Sequence, residues 1–214
     1  MDNKKISAII EKTPGITKCL ITGCDKAKAL EFLAPLAIRL YLVPIFWMAG
    51  TNKFSKFSDT VEWFGNEEWG LDLPLPFLLV FLVAFFEVLG AIFLFFGFGI
   101  RIISIPLMII MAIAGITVHW KNGWLAIAEG TGIFSSVRTE GAAQRLEVAK
   151  SLLKEHGDYP WLTDSGSFVI LNNGIEFSVT YFIMLLVLFF MGAGSYVSVD
   201  YWLKRNDKFE DYVK

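Results

Sequence analysis

The sequence predicts an all-α membrane protein, a four-helix bundle carrying an outer-face amphipathic helix in the loop between the third and fourth spans. Hydrophobic residues fill 55% of 214 positions, including twenty Phe. The mean hydropathy of +0.54 exceeds what a soluble core requires. Four apolar runs, Phe32 to Gly50, Leu75 to Gly97, Ile100 to His119 and Phe177 to Val199, each approach the roughly 20 residues that cross a bilayer. Between the last two runs, the segment from Glu140 to His156 instead shows a helical period.

Residues 1–31 form a polar, Lys-rich lead-in with Pro14 and Gly15, expected to lie at the cytoplasmic membrane surface. Ile6 to Ile10 is too short for a signal-peptide apolar region and no small-x-small site follows, so the first span is expected to anchor the chain uncleaved. Cys19 and Cys24 are spaced C-x4-C, unlike a C-x2-C zinc or redox pair, and read as reduced, unpaired thiols. Residues 32–199 make up the membrane domain. Its first outer loop, Thr51 to Pro74, carries Trp63 and Trp69, rings suited to the interface.

The second outer loop, residues 120–176, is long enough to need structure of its own. Ala142, Leu146, Ala149, Leu152 and Leu153 recur at helical spacing, and Gly157 supplies a stop. This helix is expected to cover the bundle or rest on lipid. Residues 200–214 form a short cytoplasmic tail.

The formal net charge of −2 and the lack of a dense basic cluster argue against nucleic acid or an acidic substrate as partner. Near the span ends, one side holds Lys18, Lys26, Lys28, Arg101, Lys204, Arg205, Lys208 and Lys214, and the other only Lys53, Lys56 and Lys121. Positive charge concentrates on the cytoplasmic side, so both termini are expected there.

Glu87 interrupts an otherwise uncharged run near mid-span. A carboxylate at that depth costs a few kcal/mol or more unless met by a partner, which marks it as functional or paired. With Arg39 about 9 Å deep and Glu87 about 15 Å deep from the cytoplasmic edge, an extended guanidinium is expected to pair with the carboxylate. On the first span Arg39, Val43, Phe46, Gly50 and Lys53 share one stripe. Ala84, Gly90 and Ala91 flank Glu87 at helical spacing, and such small residues allow close helix approach, so Glu87 is expected to face protein. On the third span, eighteen residues separate Arg101 from His119. That is five helical turns, placing both on one stripe with Met108 and Ala112 between them.

His119 opens the outer segment His-Trp-Lys-Asn-Gly-Trp and can exchange protons near neutrality. Met48, Met108, Met111, Met184 and Met191 lie within spans; thioethers favour Cu(I) but are also ordinary gap-fillers, and no metal site is assigned. No nucleotide-binding loop, Ser-His-Asp arrangement or H-E-x-x-H occurs. Quinone and lipid sites leave no sharp signature of this kind.

Arg39-Leu-Tyr-Leu, Met48-Ala-Gly-Thr-Asn-Lys-Phe54, Phe86-Glu-Val-Leu-Gly90 and Gly97-Phe-Gly-Ile-Arg101 together resemble the DoxX family. His119 to Ala128, Tyr159-Pro-Trp-Leu-Thr163 and Phe168 to Glu176 resemble its HvfX subgroup. The resemblance implies an inner-membrane protein of bacteria, an accessory subunit in quinone-linked redox chemistry, with partners in a redox complex or in the making of modified copper-binding peptides. Arg39, Lys53, Glu87 and Arg101 fall on the family's polar positions and His119 on its outer-end His; Glu87, Arg39 and His119 are taken as candidate catalytic residues, and Arg101, Lys53 and Trp47 as candidate contacts for a cofactor such as quinone. A non-enzymatic scaffold or small carrier, or a copper-handling membrane protein, is the alternative.

Overall fold

The computed structural model describes residues 30–213, with side chains through Asn206. Cys19, Cys24 and nearly all of the lead-in, with Lys18, Lys26 and Lys28, lie outside the described residues, as do Lys214 and the side chain of Lys208. Among the described residues the regular secondary structure is all helical, as expected. Three stretches are long and apolar enough to cross a membrane: α1, Leu33–Ser55; α3, Pro76–Phe96; and α4, Ile100–Ala114, extended to Asn122 by a π turn at Gly115–His119 and a 3₁₀ turn at Trp120–Asn122. Only 17% to 33% of each apolar window is buried within the chain. On α4, Ile102, Ile109, Ile113 and Ile116 are between 50% and 75% exposed, an apolar surface that lipid must cover.

α1 runs five residues past the expected end at Gly50. Short helix α2, Phe57–Gly65, follows, and the chain folds back through bonds from Leu71 and Leu73 to the carbonyls of Trp63 and Phe64. Pro76 then begins α3 at a position where the missing N–H costs nothing. Each apolar helix packs on the next. α1 lies most extensively along α3, and α4 along the apolar helix α7, Glu176–Met191, which also returns to α1. Leu42, Phe46, Ala91, Leu94, Ile100, Ile103, Leu107, Leu185 and Leu188 form the shared core.

α7 corrects the fourth expected span. It holds 16 residues and stops at Met191 instead of running to Val199, giving about 24 Å of helix at 1.5 Å per residue. Gly192 (φ 80°), Gly194 (φ 83°) and Tyr196 (φ 64°) take left-handed conformations that no helix continues through. Amphipathic helix α8, Val199–Val213, begins after this break.

In the long loop, α5, Val137–His156, starts three residues earlier than expected, behind a capping box of Ser136 and Thr139. A four-residue turn, α6, Tyr159–Leu162, follows. The expected apolar stripe of α5 is only partly covered: Ala142, Leu146 and Leu153 are half-buried, while Ala149 and Leu152 are exposed. Its close neighbour is its own loop, where a Cβ on Gly130 would lie 3.0 Å from the Ala143 Cβ.

Candidate functional site

Two buried charges sit in the seam between α1 and α3. Glu87 is 2% exposed and Arg39 is 1% exposed. As expected, the protein-facing stripe of α1 includes Arg39, Phe46 and Gly50, and Glu87 faces protein between the buried Ala84, Gly90 and Ala91.

The partner of Glu87 is Lys53, not Arg39. Lys53 Nζ donates to Glu87 Oε1 at 2.8 Å and to Oε2 at 2.7 Å. Helix geometry explains the correction. A helical Cβ tilts toward its helix N-terminus. On α1, Lys53 therefore leans back from the loop end into the seam. On antiparallel α3, Glu87 leans toward the loop end to meet it. The same rule points Arg39 away from Glu87.

Register completes the separation. A Cβ on Gly50 would lie 3.0 Å from Glu87 Cβ and 2.7 Å from Val88 Cγ2, so the two backbones nearly touch there. Arg39, level with Leu94 and Phe95, then lies about 12 Å along the axis from Glu87. No guanidinium spans that gap while pointing the other way.

Arg39 has a different task. Its Nε donates to Leu94 O at 2.8 Å and its Nη2 to Phe95 O at 3.1 Å, at the end of α3. Its Nη1 donates to Ala193 O at 2.7 Å and Val197 O at 3.1 Å, in the segment where α7 has broken. Irregular backbone at membrane depth persists only where its polar groups are met by protein. The guanidinium meets carbonyls from both strands of chain at once. Gly97 (φ 67°) makes room for it, since a Cβ there would sit 2.6 Å from Nη1.

The third-span stripe is also corrected. The buried positions of α4 are Ile100, Ile103, Ser104 and Leu107, and Arg101 is exposed. Arg101 Nη2 donates to Phe190 O at 3.2 Å, across to α7. The π turn at Gly115–His119 takes more residues per turn than an α-helix, so five regular turns do not connect Arg101 to His119. Trp47 is 48% exposed on the outside of α1.

His119 joins a clasp that closes the loop end. Its Nδ1 donates to Asn173 O at 3.0 Å. Asn122 Nδ2 donates to the same carbonyl at 3.0 Å. Asn172, 3% exposed, donates to the carbonyls of Asn122 (2.8 Å) and Leu125 (2.6 Å) and accepts from Arg138 Nε (3.0 Å). Glu176 Oε2 accepts from the Ala126 amide at 2.9 Å. Gly174 permits the crossing, because a Cβ there would meet three backbone carbonyls within 2.6 Å. Sequence reasoning missed Asn172, Glu176 and Asp200. The only sign of the clasp was two Asn- and Gly-containing segments, 119–124 and 171–176.

Among the described residues no group of three or more His, Cys, Asp or Glu side chains could hold a metal ion. Glu87 and Lys53 form one polar centre, half-open to the loop end because the Lys53 side chain is 25% exposed. Two of the three ammonium hydrogens serve Glu87, leaving one for a further acceptor. Arg39 gives four of its five N–H donors to backbone carbonyls, and Arg101 lies apart at the other end.

Residues 34–120 match the DoxX family model. That match takes in Arg39, Lys53, Glu87, Arg101 and His119, but not the long loop, α7 or α8. The chain is also 28% identical over 97 residues to a Bacillus subtilis protein named "Putative oxidoreductase CatD", covering 45% of this chain and 68% of the relative. No solved structure matches the chain.

Proposed function

We propose that the protein is an inner-membrane, multi-pass DoxX-like subunit of the HvfX type, with both termini cytoplasmic, which supports quinone-linked redox chemistry. Its partners are a redox subunit or the proteins that make copper-binding modified peptides. The observation that carries this reading is the buried Glu87 carboxylate, bonded through both oxygens to a lysine that is itself a quarter exposed. A mid-span acid joined to a partly open ammonium is a route by which a proton can pass between Oε and Nζ toward the loop end. The oxidoreductase name of the Bacillus relative agrees with it.

The residues present suit a quinone in donor chemistry. Lys53 would supply the hydrogen bond to a quinone carbonyl through its remaining N–H. Beside it Phe54 contacts Phe81 at 6.4 Å between centroids, Phe81 stacks on Phe85, and Trp47 lies two turns below Phe54, an aromatic surface facing lipid. Apolar lining with one or two polar contacts is the usual chemistry of these sites. When bound, the quinone supplies two-electron redox capacity; the protein's part is to orient it and to hold the proton at Glu87. His119 Nε2 is placed to exchange protons at the loop end, Arg101 is an anion contact at the other, and Arg39 positions helices without touching the reacting group.

The test is quinone-dependent electron transfer by the purified protein together with its neighbouring gene products. Transfer abolished by Glu87→Gln in a folded protein supports the reading; folded variants with undiminished transfer overturn it. The bonding of Arg39 to four carbonyls favours a second reading, a non-enzymatic scaffold whose charges only set helix packing. Exchanging the pair as Lys53→Glu with Glu87→Lys separates the two. Restored folding with restored activity favours the scaffold; restored folding without activity favours chemistry at Glu87.

A further inference from the structure

We propose that a hollow between α4, α7 and α8 binds a phosphate group, carried by an anionic phospholipid. The hollow measures about 440 Å³ and is lined by Gly99, Arg101, Met191, Gly192, Asp200 and Lys204 among others. That volume falls in the range of small-molecule sites. It lies away from Lys53 and Glu87, so apart from the anion contact already given to Arg101 this inference does not rest on the redox reading.

Charge and donors identify the ligand class. Within the described residues Arg101 makes one hydrogen bond, to Phe190 O, and Lys204 makes none and joins no ion pair. The lining carboxylate, Asp200, is already engaged: its Oδ1 accepts from the Gly99 amide at 2.7 Å and its Oδ2 from the Ile100 amide at 3.2 Å. Two basic side chains with spare donors therefore face a carboxylate whose charge is partly offset by a helix start. A guanidinium fork next to an ammonium suits the oxygens of a phosphate. Gly192 (φ 80°) forms the floor beside the fork, and a Cβ there would only reach ordinary contact with Arg101 Nε at 3.5 Å.

The surroundings identify the carrier. Arg101 is the second residue of α4 and Met191 the last of α7, so the hollow lies at the level where spans end and headgroups begin. Its apolar rim is bare, with Ile102 75% and Met191 51% exposed. On α8, Trp202 and Leu203 are 49% and 48% exposed beside the basic Lys204 and Arg205. An amphipathic helix of that make-up lies in the interface plane. Acyl chains cover such a rim and a free ion does not.

The full chain, delipidated in detergent, is titrated with dioleoyl phosphatidylglycerol, dioleoyl phosphatidylcholine or inorganic phosphate, reading the thermal shift and lipid retained per chain. The expected result is preferential retention of phosphatidylglycerol, weakened about fivefold by each of Arg101→Gln and Lys204→Gln, the effect of one basic residue at an anionic lipid surface. Lys121→Gln, at the loop end, leaves retention unchanged. Lys204 is exposed and, among the described residues, unbonded, so its variant folds even if the Arg101 variant does not. A shift with inorganic phosphate equal to that with phosphatidylglycerol, lost in Lys204→Gln, keeps the phosphate site and assigns it to a free anion. Equal retention of both lipids with no effect of inorganic phosphate, or a Lys204→Gln protein that behaves as wild type, overturns the proposal.

Discussion

Replacing Arg39 with Met removes four hydrogen bonds of 2.7 to 3.1 Å from a guanidinium 1% exposed, while keeping most of the stem volume. Hydrogen bonds from a charged donor contribute about 1.5–3 kcal/mol each. Their plain sum exceeds what single substitutions cost. We expect a loss of about 4 kcal/mol, at the upper limit of single changes. Arg39→Lys should recover about half, since an ammonium offers three donors from a single point. The assay is reversible unfolding of the full chain in mixed micelles, followed by circular dichroism. The same experiment separates the carbonyl role from an ion pair: Arg39→Met and Glu87→Gln should add within about 0.5 kcal/mol, as distant sites do. A loss below about 1 kcal/mol, or a coupling above about 1 kcal/mol, would refute the reasoning.

Gly97→Ala forces a β-carbon into a left-handed residue and against the guanidinium, and should cost about 2–3 kcal/mol in the same assay; the cost should shrink when Arg39 is already Met. Asp200→Ala removes the acceptor for the Gly99 and Ile100 amides, with an expected loss of about 1 kcal/mol and faster hydrogen exchange at those two amides. Asn172→Ala strands the Asn122 and Leu125 carbonyls and frees Arg138, so limited trypsin digestion at Arg138 should speed up about tenfold, as the loop opens at a cost near 1.4 kcal/mol. Unchanged digestion would mean that the clasp does not hold the loop.

The spanning helices were legible because length and hydropathy nearly suffice in a bilayer. Glu87 was legible as protein-facing because Ala84, Gly90 and Ala91 leave room only for a neighbouring backbone. Its partner was not read, since depth alone brings Arg39 close, whereas the tilt of Cβ and the contact at Gly50 decide for Lys53. The tilt rule was available from sequence; the contact was not. The early end of α7 had a visible signal in Gly192 and Gly194, which a hydropathy reading runs straight through. The clasp around Asn172 and the cap from Asp200 join segments about 50 and 100 residues apart. No local pattern announces such pairings. The π turn at Gly115–His119, likewise, has no local mark in the sequence and undoes a face drawn with regular turns.

The central claim is that Lys53 and Glu87 form the working polar centre of a quinone-linked membrane subunit. Its most direct test is the quinone content of the purified protein, extracted and measured per chain for wild type, Glu87→Gln and Lys53→Met. The account predicts close to one quinone per wild-type chain and about tenfold less in either variant, a loss of one good polar contact. Quinone no higher than in an unrelated membrane protein purified alongside, or equal amounts in folded variants and wild type, would contradict it.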